Sequence, residues 1–158
     1  MNKKVSIYLF SLIAFFFVAT PISIEAQSQS AKKPIKYKKA RALQSSTAKK
    51  MAKVYEALEV VDEKGEPAPD MQIVMSILTE LRNDMANLKS YDRSVMWNAW
   101  AFVYFQDGDY PNAMNAYAKL INEPEVTIGL RVQALLSLAQ LNLLQENYAK
   151  GIELILQW

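Results

Sequence analysis

Between Ser90 and Glu125, large and small residues fall at intervals that suit a pair of packed helices. Trp97, Trp100, Ala101 and Tyr104 come first, then Gly108, Tyr110, Ala113 and Tyr117, and finally Pro124. Steps of three and four residues place the first group on one helical stripe. Asp107-Gly108-Asp109 marks a turn in which Gly108 is free to take a positive φ, and Pro111 suits the first turn of the helix that follows. Ala101 and Ala113 are small enough to let the two helices approach closely. A weaker copy comes next, with Leu135, Leu138 and Ala139 on the first stripe and Tyr148, Gly151 and Ile155 on the second.

This pattern resembles the tetratricopeptide (TPR) repeat, in which a Trp, a Leu-Gly pair and a Tyr occupy the first helix, with an Ala and then an aromatic on the second. Trp100 and Ala101 stand where Leu-Gly is usual, and Leu120 where a small residue is usual. In the second copy Asn142 replaces the Tyr and Glu146 the Gly. Tyr110 and Tyr148 are 38 residues apart, longer than the usual repeat of about 34, and the extra residues fall around Asn122 to Thr127. A degenerate hairpin precedes both copies. Met51, Val54, Tyr55, Leu58 and Val61 form its first stripe, Lys64 to Asp70 its turn, and Val74, Ile77, Leu78, Leu81 and Met85 its returning stripe. The last helix ends with Ile152, Ile155, Leu156 and Trp158 still apolar. Repeat arrays normally close on a polar cap, so the expectation is the N-terminal part of a longer array, or an end that docks on another chain.

Composition narrows the function. The 158 residues include no His and no Cys. Thiol and imidazole nucleophiles, their dyads and the usual zinc ligands are therefore absent, as are disulfides and a lipid-bearing cysteine. Glu56, Glu59 and Glu63 are spaced along a helix surface and are not paired across a cleft as a glycosidase requires. Asp107 and Asp109 supply too few oxygens for calcium. The expectation is a non-enzyme with no cofactor and no metal.

The first residues read as an address. Lys3 and Lys4 precede an apolar run from Val5 to Ala19. Thr20 and Pro21 break it, and Ile22 to Ala26 leads to a cut before Gln27. A cleaved signal peptide over 1–26 implies the periplasm; the alternative is an uncleaved helix that anchors the chain in the inner membrane. Gln27 to Lys53 then carries 9 Lys/Arg and no acid, against 7 Lys/Arg and 15 Asp/Glu from Val54 to Trp158. The net charge of +2 hides this split. Residues 27–46 lack apolar periodicity and read as a disordered basic arm. Lysines and arginines over 32–53 could touch anionic lipid or the cell wall, serve as a solvated linker, or fold back on the acidic body. With Tyr37 its one aromatic, the arm is not read as a nucleic-acid binder.

Together these readings predict an all-α chain. Antiparallel helix hairpins stack as a short TPR solenoid over 47–158, with hairpins at about 47–86, 90–121 and 128–158. A narrower resemblance lies in Leu88 to Tyr91, Met96 to Tyr104, and Ala134 to Leu143 with Tyr148 and Trp158. These stretches are similar to periplasmic TPR proteins that accompany ExbB, ExbD and TonB in accessory energy-transduction systems. The resemblance implies a scaffold in TonB-dependent transport with ExbB/ExbD/TonB-type inner-membrane partners; the alternative is an adaptor in cell-envelope assembly or cell-wall machinery.

TPR arrays bind protein segments on a concave face lined by each first helix. Here the matching positions are Asn98, Phe102 and Phe105, then Gln133, Leu136 and Gln140, an amide-and-aromatic groove suited to a peptide. None is cationic, so no clamp for a C-terminal carboxylate is expected there. Phe102 and Phe105 could equally pack against a neighbouring helix. Trp97, Trp100, Tyr104 and Tyr117 match packing slots and are read as core, not as a ligand-stacking box.

Overall fold

The computed structural model describes residues 41–157; the leader expected at 1–26, most of the arm expected at 27–46, and Trp158 lie outside them. The described residues form α1 (Ser45–Leu58), α2 (Met71–Asn83), a short 3-10 turn (Met85–Asn87), α3 (Ser90–Gln106), α4 (Tyr110–Ile121), α5 (Ile128–Leu144) and α6 (Tyr148–Gln157). The chain is all-α: among the described residues the only β pairing is an isolated bridge between Val61 and Pro67. Each helix packs chiefly on its neighbours in sequence, most closely within the pairs α3–α4 and α5–α6. Helices joined by links this short must reverse direction to pack.

The first hairpin departs from the stripes read in the sequence. Thr47, Met51, Val54 and Ala57 form the buried face of α1, while Tyr55 is 43% and Val61 58% exposed. Val61 misses the stripe because α1 has already ended at Leu58. β-Branched Val60 and Val61 enter an extended stretch, and Asp62 then organises the turn. Its Oδ1 accepts from the backbone N–H groups of Lys64 (2.8 Å) and Glu66 (2.9 Å), and Gly65 takes φ 79°. Val74, Leu78 and Leu81 are the buried face of α2; Met85 falls in the 3-10 turn and is exposed.

The end of the expected arm is also different. Residues 41–44 and the start of α1 are held by the body. Arg41 donates to the Glu125 carbonyl at 2.8 Å and pairs with its carboxylate at 3.3 Å. Gln44 lends α1 no side-chain cap of its own. Its backbone N–H instead donates to Asp92 Oδ1 at 2.9 Å, and its Oε1 accepts from the Lys89 backbone N–H at 3.0 Å. The starts of α1 and α3 therefore cap each other. Lys50 of the basic stretch likewise pairs with Glu80 at 3.1 Å, while Lys49 and Lys53 are exposed.

α3 is buried around most of its circumference: Asp92, Ser94, Met96, Trp97, Ala99, Trp100, Ala101 and Val103 all have little or no exposure. That is the signature of a helix enclosed by others. A main core joins residues of α1 to α4 with Val126 and Ala134. A second cluster, Leu135, Leu138, Ala139 and Leu154, continues it, and Tyr117 and Ile121 pack against both. Burial pushes the Tyr117 phenol above its ordinary value of 10.0, partly offset by a hydrogen bond with Ser137.

The last two hairpins are copies displaced by 38 residues. α3 and α5 are each 17 residues long and begin at 90 and 128. After α3, the N–H groups of Asp107, Gly108 and Asp109 donate to the carbonyls of Val103, Phe105 and Tyr104. After α5, those of Gln145, Glu146 and Asn147 donate to Leu141, Leu143 and Asn142, the same pattern 38 positions on. Gly108 has φ 77°, and Glu146, in the equivalent place, has φ 61°. A side chain is strained in this region by about 1–2 kcal/mol. Glu146→Gly is therefore expected to raise stability by about 0.5–1 kcal/mol and Gly108→Ala to lower it by about 1–2 kcal/mol. Urea unfolding midpoints check both; matching signs for the two changes would contradict the equivalence.

The copies differ where the sequence differs. Phe105 packs on Tyr110, with ring centroids 5.7 Å apart. The equivalent of Phe105 is Leu143, and Tyr148 is 59% exposed, so it does not fill the packing slot read for it. Gly151 is buried against α5: a Cβ there would come 2.7 Å from Leu143 Cδ2 and 3.2 Å from the Ala139 carbonyl. Tyr148, Ile152, Ile155 and Leu156 remain exposed on the last helix.

Candidate functional site

α3 carries three of the six groove positions and α5 the other three. Gln133 and Gln140 are exposed, whereas Asn98, Phe102, Phe105 and Leu136 are half-buried. Phe102 and Phe105 are both engaged in side-chain interactions, Phe105 with Tyr110 at the turn into α4. α3 and α5 are not among the closely packed pairs; α4 packs with each of them. What the six positions offer a partner is thus mainly amide chemistry, from Asn98, Gln133 and Gln140.

The positions read as repeat packing slots differ in burial. Trp97, Trp100, Ala101 and Ala113 are buried, as are Leu138, Ala139 and Gly151, while Tyr104, Tyr110 and Tyr117 are half-buried. Yet this stripe carries chemistry that spacing did not show. Trp100 donates its indole N–H to the Leu78 carbonyl at 3.3 Å, tying α3 to α2. Tyr104 stacks on Trp100 with centroids 5.2 Å apart. The Arg82 guanidinium lies 4.5 Å from the Trp100 ring centroid, and its Nη1 donates to the Tyr104 hydroxyl at 3.3 Å. Lys119 Nζ sits 4.3 Å from the Trp97 ring centroid.

These groups meet in a cleft of about 210 Å³ lined by Arg82, Trp97, Tyr104, Asn112, Asn115, Ala116 and Lys119. Small-molecule pockets run to roughly 300–1,000 Å³, so this cleft is scaled to the end of a side chain and not to a cofactor. It opens on a different face of α3 from the groove positions, since each residue turns the helix by about 100°. Arg82, Asn112, Asn115 and Lys119 were missed by sequence reasoning because three helices bring them together. One signal was present: Arg82 and Lys119 are two of only 7 basic residues from Val54 onward. Glu123, one turn after Lys119, is taken by Arg93, whose Nε and Nη2 each reach its carboxylate at 2.8 Å.

Among the described residues, no group of three or more His, Cys, Asp or Glu side chains could hold a metal ion, and no helix is long and apolar enough to cross a membrane. No protein-family model, curated protein or solved structure matches the chain.

Proposed function

We propose that this chain is a non-catalytic TPR-type scaffold that holds a protein partner in the periplasm, as an accessory to TonB-dependent transport. The observation that carries the scaffold reading is the duplicated hairpin, with one set of turn hydrogen bonds recurring 38 residues on. A unit that cannot bury its apolar face alone and stacks on its copy is how repeat scaffolds are built. The Trp97, Ala101, Tyr104 and Ala113 slots support the TPR form of that repeat. The transport role rests on the resemblance of Met96 to Tyr104 and Ala134 to Leu143 to the periplasmic proteins that accompany ExbB, ExbD and TonB. Exposed Gln133 and Gln140, with half-buried Asn98, form the surface offered to an extended segment.

Asn98→Ala combined with Gln140→Ala is expected to weaken co-purification of ExbB-, ExbD- or TonB-type proteins about tenfold, the equivalent of about 1.4 kcal/mol. Helicity by circular dichroism should be unchanged. Undiminished capture by the double variant would remove this face as the site.

A further inference from the structure

The geometry points to the Arg82–Lys119 cleft as a subsite for side-chain carboxylates of an acidic peptide segment. This deepens the scaffold reading, on which the peptide nature of the ligand rests. Four of the eleven cations among the described residues have a carboxylate: Arg93 has Glu123, Lys150 has Glu153, Lys50 has Glu80 and Arg41 has Glu125. Among the described residues, Arg82 and Lys119 have none within 4.0 Å, although acids outnumber bases from Val54 onward by 15 to 7. Both stand over indole rings, which hold a cation by its charge without using its N–H donors. Arg82 spends one donor on the Tyr104 hydroxyl; the rest of its planar fork suits a carboxylate.

The cleft supplies neutral donors as well. The Asn115 amide has no hydrogen-bond partner among the described residues, while Asn112 Nδ2 donates to Asp109 Oδ2 at 2.6 Å. Asp109 brings a negative charge to this neighbour, and its Oδ1 accepts the Asn112 backbone N–H at the start of α4. Trp97 and Trp100 are three residues apart, about 4.5 Å along the helix. Two cations from separate helices, α2 and α4, line one cleft, which favours two acidic side chains on one segment over a single small anion. Lys49, Lys53, Lys64, Lys89 and Arg131 also lack a carboxylate, but they sit over no ring among the described residues.

The test is a titration of the purified chain with N-acetylated tetraglutamate amide, followed by the indole N–H resonances of Trp97 and Trp100. Saturable shifts are expected with tetraglutamate and none with tetraglutamine. Arg82→Gln and Lys119→Gln should each weaken binding about tenfold, and Lys64→Gln should leave it unchanged. Because Arg82 packs on Trp100, exposed Lys119 decides the matter should Arg82→Gln disturb the fold. Equal binding of tetraglutamine, indifference to Lys119→Gln, or displacement by equimolar inorganic phosphate would each overturn the proposal. Capture of the transport partner that survives both variants would reject the cleft and leave the scaffold standing; tetraglutamate binding without any partner capture would do the reverse.

Discussion

Trp100→Ala is expected to lower the unfolding free energy by about 3–5 kcal/mol, the range for truncating a buried aromatic. The ring is 3% exposed and sits where α3 meets α2. Its indole N–H reaches the Leu78 carbonyl of α2, Tyr104 stacks on one side, and Arg82 lies over it. Truncation leaves a cavity in the main core and removes one of the hydrogen bonds that tie α3 to α2. Domains of this size are stable by only about 5–15 kcal/mol, so the variant should unfold at far lower urea. Trp97→Ala should fall in the same range of about 3–5 kcal/mol, because its ring is 6% exposed. Had these rings been surface platforms for a ligand, truncation would move stability by only about 0.5 kcal/mol. A shift that small for Trp100 would contradict the packing described.

Asp92→Ala should cost about 2–3 kcal/mol, from a hydrogen bond to a charged group together with the loss of a helix cap. Asp92 is fully buried, and its Oδ1 is the acceptor for the N–H of Gln44 at the start of α1. A carboxylate is also favoured at the positive end of a helix. Without it, α1 keeps no side-chain cap, since Gln44 turns its own amide to Lys89. Amide exchange should localise the effect: the N–H groups of residues 45–48 should lose protection before those of α4. A loss below about 0.5 kcal/mol, the level of an ordinary surface change, would mean that α1 does not depend on this cap.

How far the sequence could be read depended on whether the signal was local. The all-helical class was legible, because Trp97 to Tyr104 and Leu135 to Ala139 recur at helical spacing and Gly108 and Pro111 punctuate the chain. The first hairpin was read less well. Tyr55 and Val61 extend an apolar pattern that the chain abandons after Leu58, and local hydrogen bonds to Asp62 won over periodicity. The start of α1 was hidden for another reason. Arg41 and Gln44 look like part of a charged arm, and their partners, Glu125 and Asp92, are 84 and 48 residues away. Glu146 read as a weakening of the repeat; it adopts the glycine conformation regardless, at the cost of strain. The cleft was least legible of all. Trp97 and Tyr104 read as packing residues, but a ring in a packing stripe can still offer a face or a hydroxyl to Arg82 or Lys119.

The central claim is that this repeat holds a protein of the TonB motor, and calorimetry tests it directly. The purified chain is titrated with the periplasmic segments of ExbD- and TonB-type proteins from the same source. Saturable binding to at least one segment, weakened about tenfold by Asn98→Ala with Gln140→Ala, is the predicted result. Heats indistinguishable from dilution for every segment would contradict it.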